Sequence, residues 1–378
     1  MLLSVFGTVL TLTITLLHLY VFLRLRAWLP PERRRARHLV LAAGALSWSL
    51  FFAGRLFGGK SLGMLTVALE VAGMQVLGSI FLLAVAVLAV DLLTGFGLLF
   101  RKRRATLRIA GLCVGAFLVL AAHVQGLRPP VIEHHEVTVE RLPAEADGMT
   151  IAVLTDLHLG EMMLENTWLE ARLAQVRDLQ PDLVVLVGDI FERDADPAAS
   201  AEALRRLRTP LGVWAVRGNH DRRREGRTDV AGTIYTAAGI AVLENRHVPL
   251  MDGLYLSGID DLTSSRRTPG EGDANLRRAL AGLPDAATIH LSHTPWLAED
   301  AAAAGVDLML SGHTHAGQLW PFSYFVQGRY PFLAGRYTVD AMTLIVSRGT
   351  GSWGPSMRLW KPGEITLVTL RSPRQQHP

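Results

Sequence analysis

The chain begins with four long apolar segments and then changes to short apolar runs separated by polar stretches. The four segments cover about residues 2–23, 39–58, 72–100 and 109–127. Each is about 20 residues long, enough for a helix to cross the roughly 30 Å of hydrocarbon in a bilayer. We therefore predict an all-α transmembrane region of about four helices over residues 1–127.

The first and third segments need separate comment. The first lacks the basic residues that begin a signal peptide, and three more apolar segments follow it, so we expect it to remain in the mature chain. The third extends back to Leu62 and then includes Glu70 and Asp91. Carboxylates within a span can mark a functional site, but we expect these two to lie near the interfaces or to face neighbouring helices.

Basic residues crowd two of the loops between these segments. The first and third loops hold Arg24, Arg26, Arg33, Arg34, Arg35 and Arg37, and Arg101, Lys102, Arg103, Arg104 and Arg108. Basic residues are retained on the cytoplasmic side, and four spans place both loops there, whereas three or five spans would separate them. We therefore predict a multi-pass protein of the cell inner membrane whose chain after residue 127 is extracytoplasmic.

After the apolar segments, strand-like and helix-like runs alternate. We predict a linker and first strand over residues 128–148, a globular domain over 149–371 and a disordered tail over 372–378. The predicted strands of the domain cover residues 149–155, 182–187, 212–216, 241–243, 254–258, 288–291, 306–310, 343–346 and 365–370, and the predicted helices cover 167–179, 198–207 and 230–238. This pattern favours the α/β class, with two sheets covered by helices in an α/β/β/α sandwich.

Composition agrees with this division. Hydrophobic residues make up 49% of the 378 residues, and the mean hydropathy of +0.26 is high for a purely soluble protein because of the first third of the chain. The net charge of +4 owes much to the basic loops, so no nucleic-acid partner is expected. The single cysteine, Cys113, excludes a disulfide within the chain.

Polar motifs follow several of the predicted strands. They are Asp156-Leu157-His158, Gly188-Asp189, Gly218-Asn219-His220-Asp221 and Gly312-His313-Thr314-His315, and His293 stands alone. Each motif occurs often by chance, and alone it is more typical of a loop or a buried polar group. Their order and their shared place after strands indicate a set of metal ligands, since ligands gather at the carboxyl ends of strands in such folds.

The residue types fit a site for two divalent metal ions. Asp156 and His158 are two apart at a strand end, so their side chains can point to one face. A carboxylate such as Asp189 has two oxygens and can bridge two ions. Oxygen and imidazole ligands without thiolate suit Mn, Fe or Zn. One ion would need three or four ligands, whereas seven candidates imply two ions about 3.5–4 Å apart, the arrangement used in phosphoester hydrolysis.

In this order the motifs resemble those of the calcineurin-like metallophosphoesterase superfamily. The later Ala316-Gly317-Gln318 and Ser347-Arg348-Gly349-Thr350-Gly351 resemble a bacterial branch with YkuE-type and YaeI-type phosphohydrolases, some superfamily members being membrane-anchored. The similarity covers about residues 149–370. It implies a metal-dependent phosphoric ester hydrolase with two divalent ions, Mn being favoured over Fe or Zn, in which a water bridging the ions attacks phosphorus.

The resemblance also assigns roles to individual residues. The first ion would be bound by Asp156, His158, Asp189 and His315, and the second by the bridging Asp189 with Asn219, His293 and His313. His220 would be a general acid, or a charge that stabilises the phosphoryl oxygens. The family often orients this histidine with an Asp three residues after the bridging one. Here that position is Glu192, so the orienting role passes to Glu192 or Asp221, or is weakened.

Three other features have more than one interpretation. Arg348, in the glycine-rich late loop, is predicted to lie near the substrate phosphate because this loop returns to the strand ends. His290 lies three residues before His293 on a strand, should face the other way, and is interpreted as a core histidine. The aromatic stretch from Trp320 to Phe332 is interpreted as core, as a wall of the substrate cleft or as a membrane-facing lip.

The sequence thus predicts a membrane-anchored hydrolase that cleaves phosphomonoesters, phosphodiesters or pyrophosphates in a phosphorylated small molecule or lipid. One alternative is the UDP-2,3-diacylglucosamine pyrophosphatase of lipid A synthesis, an activity known in the superfamily. Its substrate is cytoplasmic, so the predicted outward topology counts against it. The alternative of another class is a sensory module that binds metal without catalysis. The presence of every expected ligand counts against that alternative.

Overall fold

A computed structural model describes residues 5–57, 64–160, 165–192, 195–221, 229–265 and 270–373. The chain divides into two compact units. One unit is Met1–Leu127 with Gly354–Lys361, and the other is Arg128–Trp353 with Pro362–Pro378. The sequence did not predict that Gly354–Lys361 groups with the first unit. From residue 374 onward, the predicted disordered tail lies outside the described residues.

The first unit contains four helices that are long and apolar enough to cross a membrane. They are α1 (Val5–Trp28), α2 (Arg34–Phe57), α3 (Met64–Leu93) and α4 (Arg104–Gly126). Each corresponds to one of the four predicted apolar segments. The third helix begins at Met64 and ends at Leu93, where a 3-10 turn over Gly95–Gly97 follows, so its bounds are earlier than the predicted ones.

Asp91, the carboxylate predicted to face a neighbouring helix, is 1% exposed within the helical unit. It accepts hydrogen bonds from Arg24 Nε at 2.6 Å and from the Tyr20 hydroxyl at 2.8 Å, both on α1. The prediction for this residue is confirmed. An ion pair between two helices avoids much of the cost of an isolated charge in hydrocarbon.

The second unit is built from strands and helices in alternation. Its strands are β1 (Val131–Thr138), β2 (Thr150–Leu154), β3 (Leu183–Val187), β4 (Val213–Val216), β5 (Ala241–Val242), β6 (Arg246–Met251), β7 (Leu254–Gly258), β8 (Ala287–Leu291), β9 (Leu308–Ser311), β10 (Gly335–Val339), β11 (Met342–Val346) and β12 (Glu364–Arg371). Its helices are α5 (Glu165–Asp178), α6 (Pro197–Leu204), α7 (Val230–Ala238), α8 (Leu262–Ser265), α9 (Glu271–Leu280), α10 (Ala298–Ala303) and α11 (Phe322–Gln327).

The strands form two six-stranded sheets. The first has the order β1-β12-β2-β3-β4-β5 and the second the order β10-β11-β9-β8-β7-β6. β2, β3, β4 and β5 are parallel in the first sheet, and β7, β8, β9 and β11 are parallel in the second. Parallel strands end at the same edge of a sheet, so the loops that follow them are neighbours.

The two sheets pack face to face between two layers of helices. Alternate residues of β2 show this arrangement: Ile151 and Val153 lie in the core shared with the second sheet, while Ala152 and Leu154 lie in the core under the helices. The outer core of the first sheet includes Leu173 of α5, Leu204 of α6 and Ile234 of α7, and that of the second includes Leu276 of α9 and Ala301 of α10. The predicted α/β/β/α sandwich is confirmed.

Two edge strands of the second sheet were missed by the sequence interpretation. β6 and β10 are both antiparallel to their neighbours and carry exposed or half-buried residues along most of their length. Edge strands have one free side, so their hydrophobic pattern is weaker than that of the central strands. Neither strand carries a predicted ligand.

Candidate active site

The predicted metal ligands lie in loops that directly follow five parallel strands. Asp156 and His158 follow β2, Asp189 follows β3, Asn219 follows β4, His293 follows β8, and His313 and His315 follow β9. These loops belong to both sheets. The contacts below bring together six of the seven side chains, and Asn219 follows β4, the strand next to β3 in the first sheet.

A first group is formed by Asp156, His158 and His315. His315 Nε2 lies 3.1 Å from His158 Nε2 and 3.3 Å from Asp156 Oδ1, and His158 Nε2 lies 4.0 Å from the same oxygen. Two ligand atoms bound to one ion at about 2.0–2.2 Å lie roughly 3–3.5 Å apart. The group therefore fits one divalent cation after small movements of the His158 ring.

A second group is formed by Asp189, His293 and His313. His293 Nε2 lies 3.1 Å from Asp189 Oδ2 and 3.2 Å from His313 Nδ1. Asn219 Oδ1 is buried and has no hydrogen-bond partner among the residues that the structure describes. A buried amide oxygen without a partner is costly unless it binds something else, so Asn219 fits the role of a further metal ligand.

Asp189 lies between the two groups. Its Oδ2 is 3.1 Å from His293 Nε2 and 3.9 Å from His158 Nε2, whereas its Oδ1 accepts the backbone N–H of His220 at 2.8 Å. One carboxylate oxygen thus faces the nitrogens of both groups. This is the geometry expected of a residue that bridges two ions.

Glycines in the motifs leave room for the carboxylates. A Cβ on Gly218 would lie 2.1 Å from Asp189 Oδ1, and a Cβ on Gly312 would lie 2.5 Å from Asp156 Oδ2. Real Cβ atoms do not approach a carboxylate oxygen so closely, so a side chain at either position would displace a ligand. The glycines are required by close approach of backbone to the site.

Five of the ligands have left-handed backbone conformations, which are uncommon for residues other than glycine. They are Asp156 (φ 55), His158 (φ 50), Asp189 (φ 53), His313 (φ 71) and His315 (φ 49). Such conformations cost of order 1–3 kcal/mol each and persist where the surroundings enforce them, often at functional sites. Here the strain turns successive side chains towards one point at the strand ends.

In three of the histidines, one ring nitrogen faces the other candidate ligands. The second ring nitrogen, on the far side of the ring, makes a hydrogen bond. His158 Nδ1 lies 2.7 Å from Glu192 Oε1, His293 Nδ1 lies 2.9 Å from the Val187 carbonyl oxygen, and His313 Nε2 lies 2.7 Å from the Tyr330 hydroxyl. Metal-binding histidines almost always make such an outward hydrogen bond, which leaves the lone pair of the other nitrogen facing the ion.

The site has a strongly negative potential. Burial opposes protonation of His293, but the charge of Asp189 and its hydrogen bond, with the charges of Asp156 and Asp261, raise the pKa of this histidine to about 10. Burial, and then the positive charge of His293, lower the pKa of His313 to about 3. A potential that favours a cation on His293 also favours divalent ions, since both are stabilised by the same carboxylates.

Glu192, and not Asp221, contacts the His220 ring. Glu192 Oε1 lies 2.6 Å from His220 Nδ1 and 2.7 Å from His158 Nδ1. Burial opposes the charge of this carboxylate, but the hydrogen bonds with His158 and His220 outweigh burial and lower the pKa of Glu192 to about 2. Glu192 therefore stays ionised and links a predicted ligand to the predicted catalytic histidine.

Asp221 is engaged elsewhere. Its Oδ1 accepts the backbone N–H groups of Ile190 and Phe191, and its Oδ2 accepts that of Gly218. Burial, and then the charge of Asp189, raise the pKa of Asp221 to about 6 against the effect of these hydrogen bonds. The contacts join the loops after β3 and β4, so Asp221 supports the backbone that carries Asp189.

Arg348 is paired with carboxylates of the first sheet. Its guanidinium lies 2.8 Å from Glu364 and 3.1 Å from Glu133, and the side chain is buried. Two carboxylates therefore already compensate its charge, and a contact between Arg348 and the substrate phosphate stays a prediction. The loop that carries it is tied to the site by backbone hydrogen bonds from Thr350 to Thr155 and from Gly351 to Asp156.

His290 is a core residue, as predicted. It is 1% exposed and its Nδ1 lies 3.2 Å from Ser257 Oγ. Burial lowers the pKa of His290 to about 4, so the ring is neutral at physiological pH. The alternation of side chains along β8 places it on the opposite face from the following loop residue His293.

The sequence interpretation missed two contacts beside the site. The Trp353 ring centroid lies 6.2 Å from that of His220, and the backbone groups of Trp353 form two 3.0 Å hydrogen bonds with the Gln318 side chain. The hydroxyl of Tyr330, a residue of the aromatic stretch, contacts the predicted ligand His313. The Trp353 contact joins loops far apart in sequence and the Tyr330 contact spans 17 residues, and no local motif signals either one.

The family model described as calcineurin-like phosphoesterase matches residues 149–317. This range contains all seven candidate metal ligands and also includes Glu192, His220 and Asp221.

Relatives from animals and bacteria extend the match. A transmembrane protein with metallophosphoesterase domain from Danio rerio is 34% identical over 277 residues, which cover 70% of this chain and 62% of that protein. A metallophosphoesterase of Campylobacter jejuni is 30% identical and covers 71% of this chain and 70% of its own length. The metallophosphoesterase YkuE of Bacillus subtilis is 31% identical, covering 65% and 88%. The chain thus spans less than two thirds of the length of the Danio rerio relative.

Proposed function

Because the chain belongs to the calcineurin-like phosphoesterase family, we propose that it is a membrane-anchored phosphohydrolase that uses two divalent metal ions. The strongest support is the pair of ligand groups that share Asp189, whose Oδ2 faces nitrogens of both groups at 3.1 and 3.9 Å. Two adjoining sites with a shared carboxylate are the arrangement that enzymes use to displace a leaving group at phosphorus.

The residues divide between the ions as their contacts suggest. Asp156, His158 and His315 would hold the first ion, His293, His313 and Asn219 would hold the second, and Asp189 would contribute to both. The ligands are oxygens and imidazoles, which suit Mn, Fe or Zn, and we favour Mn. When bound, the ions supply an activated water and positive charge for the phosphoryl oxygens.

His220 is the residue of this chain that acts on the leaving group. Its side chain is 25% exposed, in contrast to the buried ligands around it, and its Nδ1 contacts the ionised Glu192. A histidine so placed can donate a proton to the leaving oxygen from Nε2, or can stabilise developing negative charge as a cation. Glu192 fixes the ring and favours its protonated form.

The substrate is a phosphate joined to an apolar group. Large apolar rings are exposed on the segments beside the site: Trp353, which contacts the His220 ring, is 38% exposed, and Phe325 of α11 is 71% exposed. Exposed aromatic rings next to a site suit apolar ligands and membrane interfaces. A chain with four membrane-capable helices meets such amphiphilic phosphates in the bilayer.

We expect the purified full-length protein to hydrolyse phosphate esters only with metal present, and to prefer esters with long alkyl chains. The test is a panel of aryl and alkyl phosphate monoesters, their diesters and a pyrophosphate, assayed with Mn and after chelation. Phe325→Ala should lower kcat/KM for long-chain esters and leave that for the short aryl ester unchanged. Hydrolysis that persists after complete metal removal would exclude the two-metal enzyme, and equal rates for all chain lengths would exclude the amphiphilic substrate.

The catalytic domain is proposed to face away from the cytoplasm at the inner membrane, because the two basic loops are placed on the cytoplasmic side. A reporter that is active only outside the cytoplasm should be active when fused after residue 378 and inactive when fused after Arg103. A reporter that works only in the cytoplasm should show the reverse. The opposite pattern would overturn this topology and favour the cytoplasmic pyrophosphatase alternative.

A further inference from the structure

The outward nitrogen of His313 contacts a side chain that has no role in the ligand set. His313 Nε2 lies 2.7 Å from the Tyr330 hydroxyl, while His313 Nδ1 lies 3.2 Å from His293 Nε2. The two nitrogens of the His313 ring thus contact two different residues. Nε2 contacts Tyr330, and Nδ1 faces His293 of the second ligand group.

The chemistry of imidazole makes the two contacts dependent on each other. A neutral imidazole carries its proton on one nitrogen and a lone pair on the other. For Nδ1 to bind a cation, the proton must be on Nε2, so this N–H must donate to the Tyr330 oxygen. The Tyr330 oxygen lies 2.7 Å from His313 Nε2, and a phenol oxygen can accept this hydrogen bond.

Tyr330 differs in kind from the partners of the other two histidines. His293 and His158 donate to a carbonyl oxygen and to a carboxylate, which are acceptors only and fix the ring tautomer by themselves. A phenol can either accept or donate. Its position must therefore be fixed by packing if it is to hold His313 in one orientation.

The packing around Tyr330 supplies this constraint. Its ring is stacked on Trp296, with centroids 5.1 Å apart and an interplanar angle of 15°. The Arg329 guanidinium carbon lies 4.9 Å from the Trp296 ring centroid and 5.9 Å from that of Tyr330. Stacking and cation–π contacts of this kind favour one ring orientation. The Thr314 hydroxyl also donates to the Leu333 carbonyl oxygen, which joins the His313 loop to the Tyr330 segment.

We propose that Tyr330 is a positioning residue for the second metal ion, acting through His313. The phenol oxygen accepts the Nε2 proton of His313, and the stacked Trp296 ring holds the phenol in place, so that His313 Nδ1 presents its lone pair to the ion. The inference rests on the proposed two-metal function. It assigns to Tyr330 a part in binding one ion and not the other.

Tyr330→Phe removes the hydroxyl and keeps the ring that stacks on Trp296. We expect the affinity of one of the two Mn sites of the full-length protein to fall about 10–100-fold, as for other outer partners of metal-binding histidines, with the other site binding Mn as in wild type. The protein is first freed of metal with a chelator and then titrated with Mn. Calorimetry gives the affinity of each site, and electron paramagnetic resonance distinguishes a pair of neighbouring Mn ions from a single one. The matched control is Tyr255→Phe, the same change at the start of β7, far along the strand from the site edge.

The outcomes separate the two proposals. A wild-type protein that binds only one Mn contradicts the two-metal function itself. If wild type binds two ions and Tyr330→Phe binds both with unchanged affinity, Tyr330 does not position His313. Equal weakening of both ions, or the same effect in Tyr255→Phe, would also overturn the assignment. Wild-type affinity at the other site in Tyr330→Phe shows that the variant is folded.

Discussion

Replacing Asp189 by Asn is expected to abolish phosphoester hydrolysis and to reduce the metal content of the purified protein. The reason is that Oδ2 of Asp189 faces nitrogens of both ligand groups while Oδ1 accepts the His220 backbone N–H at 2.8 Å. An Asn side chain has only one oxygen. If that oxygen accepts the His220 N–H, the NH₂ group faces the ions, and if the oxygen faces the ions, the hydrogen bond to His220 is lost. Loss of charge stabilisation of several kcal/mol corresponds to about 10³-fold or more in kcat/KM.

The same change at Asp182 provides the control for this prediction. Asp182 lies at the opposite end of β3, where its Oδ2 accepts the backbone N–H and the hydroxyl of Thr150. An amide oxygen can accept the same hydrogen bonds, so Asp182→Asn should keep two ions and wild-type activity. Both variants are compared by metal analysis and by kcat/KM on one aryl phosphate. Wild-type hydrolysis by Asp189→Asn, with two ions bound, would contradict a bridging role for Asp189.

Local patterns were sufficient to predict the layered fold and to select candidate ligands that the structure brings close together. Asp156, Asp189 and His293 each follow a short buried strand directly, and parallel strands in each sheet end at one edge. Once the strands are recognised, their loops must meet. The buried strands have continuous apolar runs that are easy to recognise, whereas β6 and β10 at the sheet edge do not.

Contacts between distant loops could not be predicted in the same way. The sequence left the orienting role open between Glu192 and Asp221, because both are close to a ligand along the chain. Only the path of the loop after β3 brings Glu192 to the rings of His158 and His220 and leaves Asp221 beneath the backbone. The contact of Tyr330 with His313 has the same origin, since it depends on how the chain after α11 returns to the site.

The substitution of Glu for the usual Asp in the family pattern has a structural consequence. Glu192 has one more methylene than Asp, and its Oε1 reaches two histidine nitrogens at once, at 2.6 and 2.7 Å. The carboxylate thereby couples the ring of a predicted ligand to that of the predicted catalytic residue. Its lowered pKa means that this coupling persists at all physiological pH values.

Replacing His220 by Gln is expected to lower kcat by about 10²–10⁴-fold for substrates whose leaving group is an alkoxide, with two metal ions still bound. Because His220 is predicted not to be a ligand, its loss should remove proton donation or positive charge without emptying either group. Gln keeps a side-chain amide near Glu192 but cannot transfer a proton. Metal analysis of the purified variant measures the number of bound ions, and kcat on an alkyl phosphate measures the loss of activity.

The two roles left open for His220 give different dependences on the leaving group. If His220 is a general acid, the loss in His220→Gln should be largest for alkyl esters and become small for aryl esters whose phenols are acidic, because such leaving groups need no proton. If it acts only as a charge beside the phosphoryl oxygens, the loss should be similar across the series. Glu192→Gln should follow the pattern of His220→Gln with a smaller loss, since it weakens the orientation of the ring without removing it. A His220→Gln enzyme with wild-type rates on every ester would exclude both roles and place the acid elsewhere in the site.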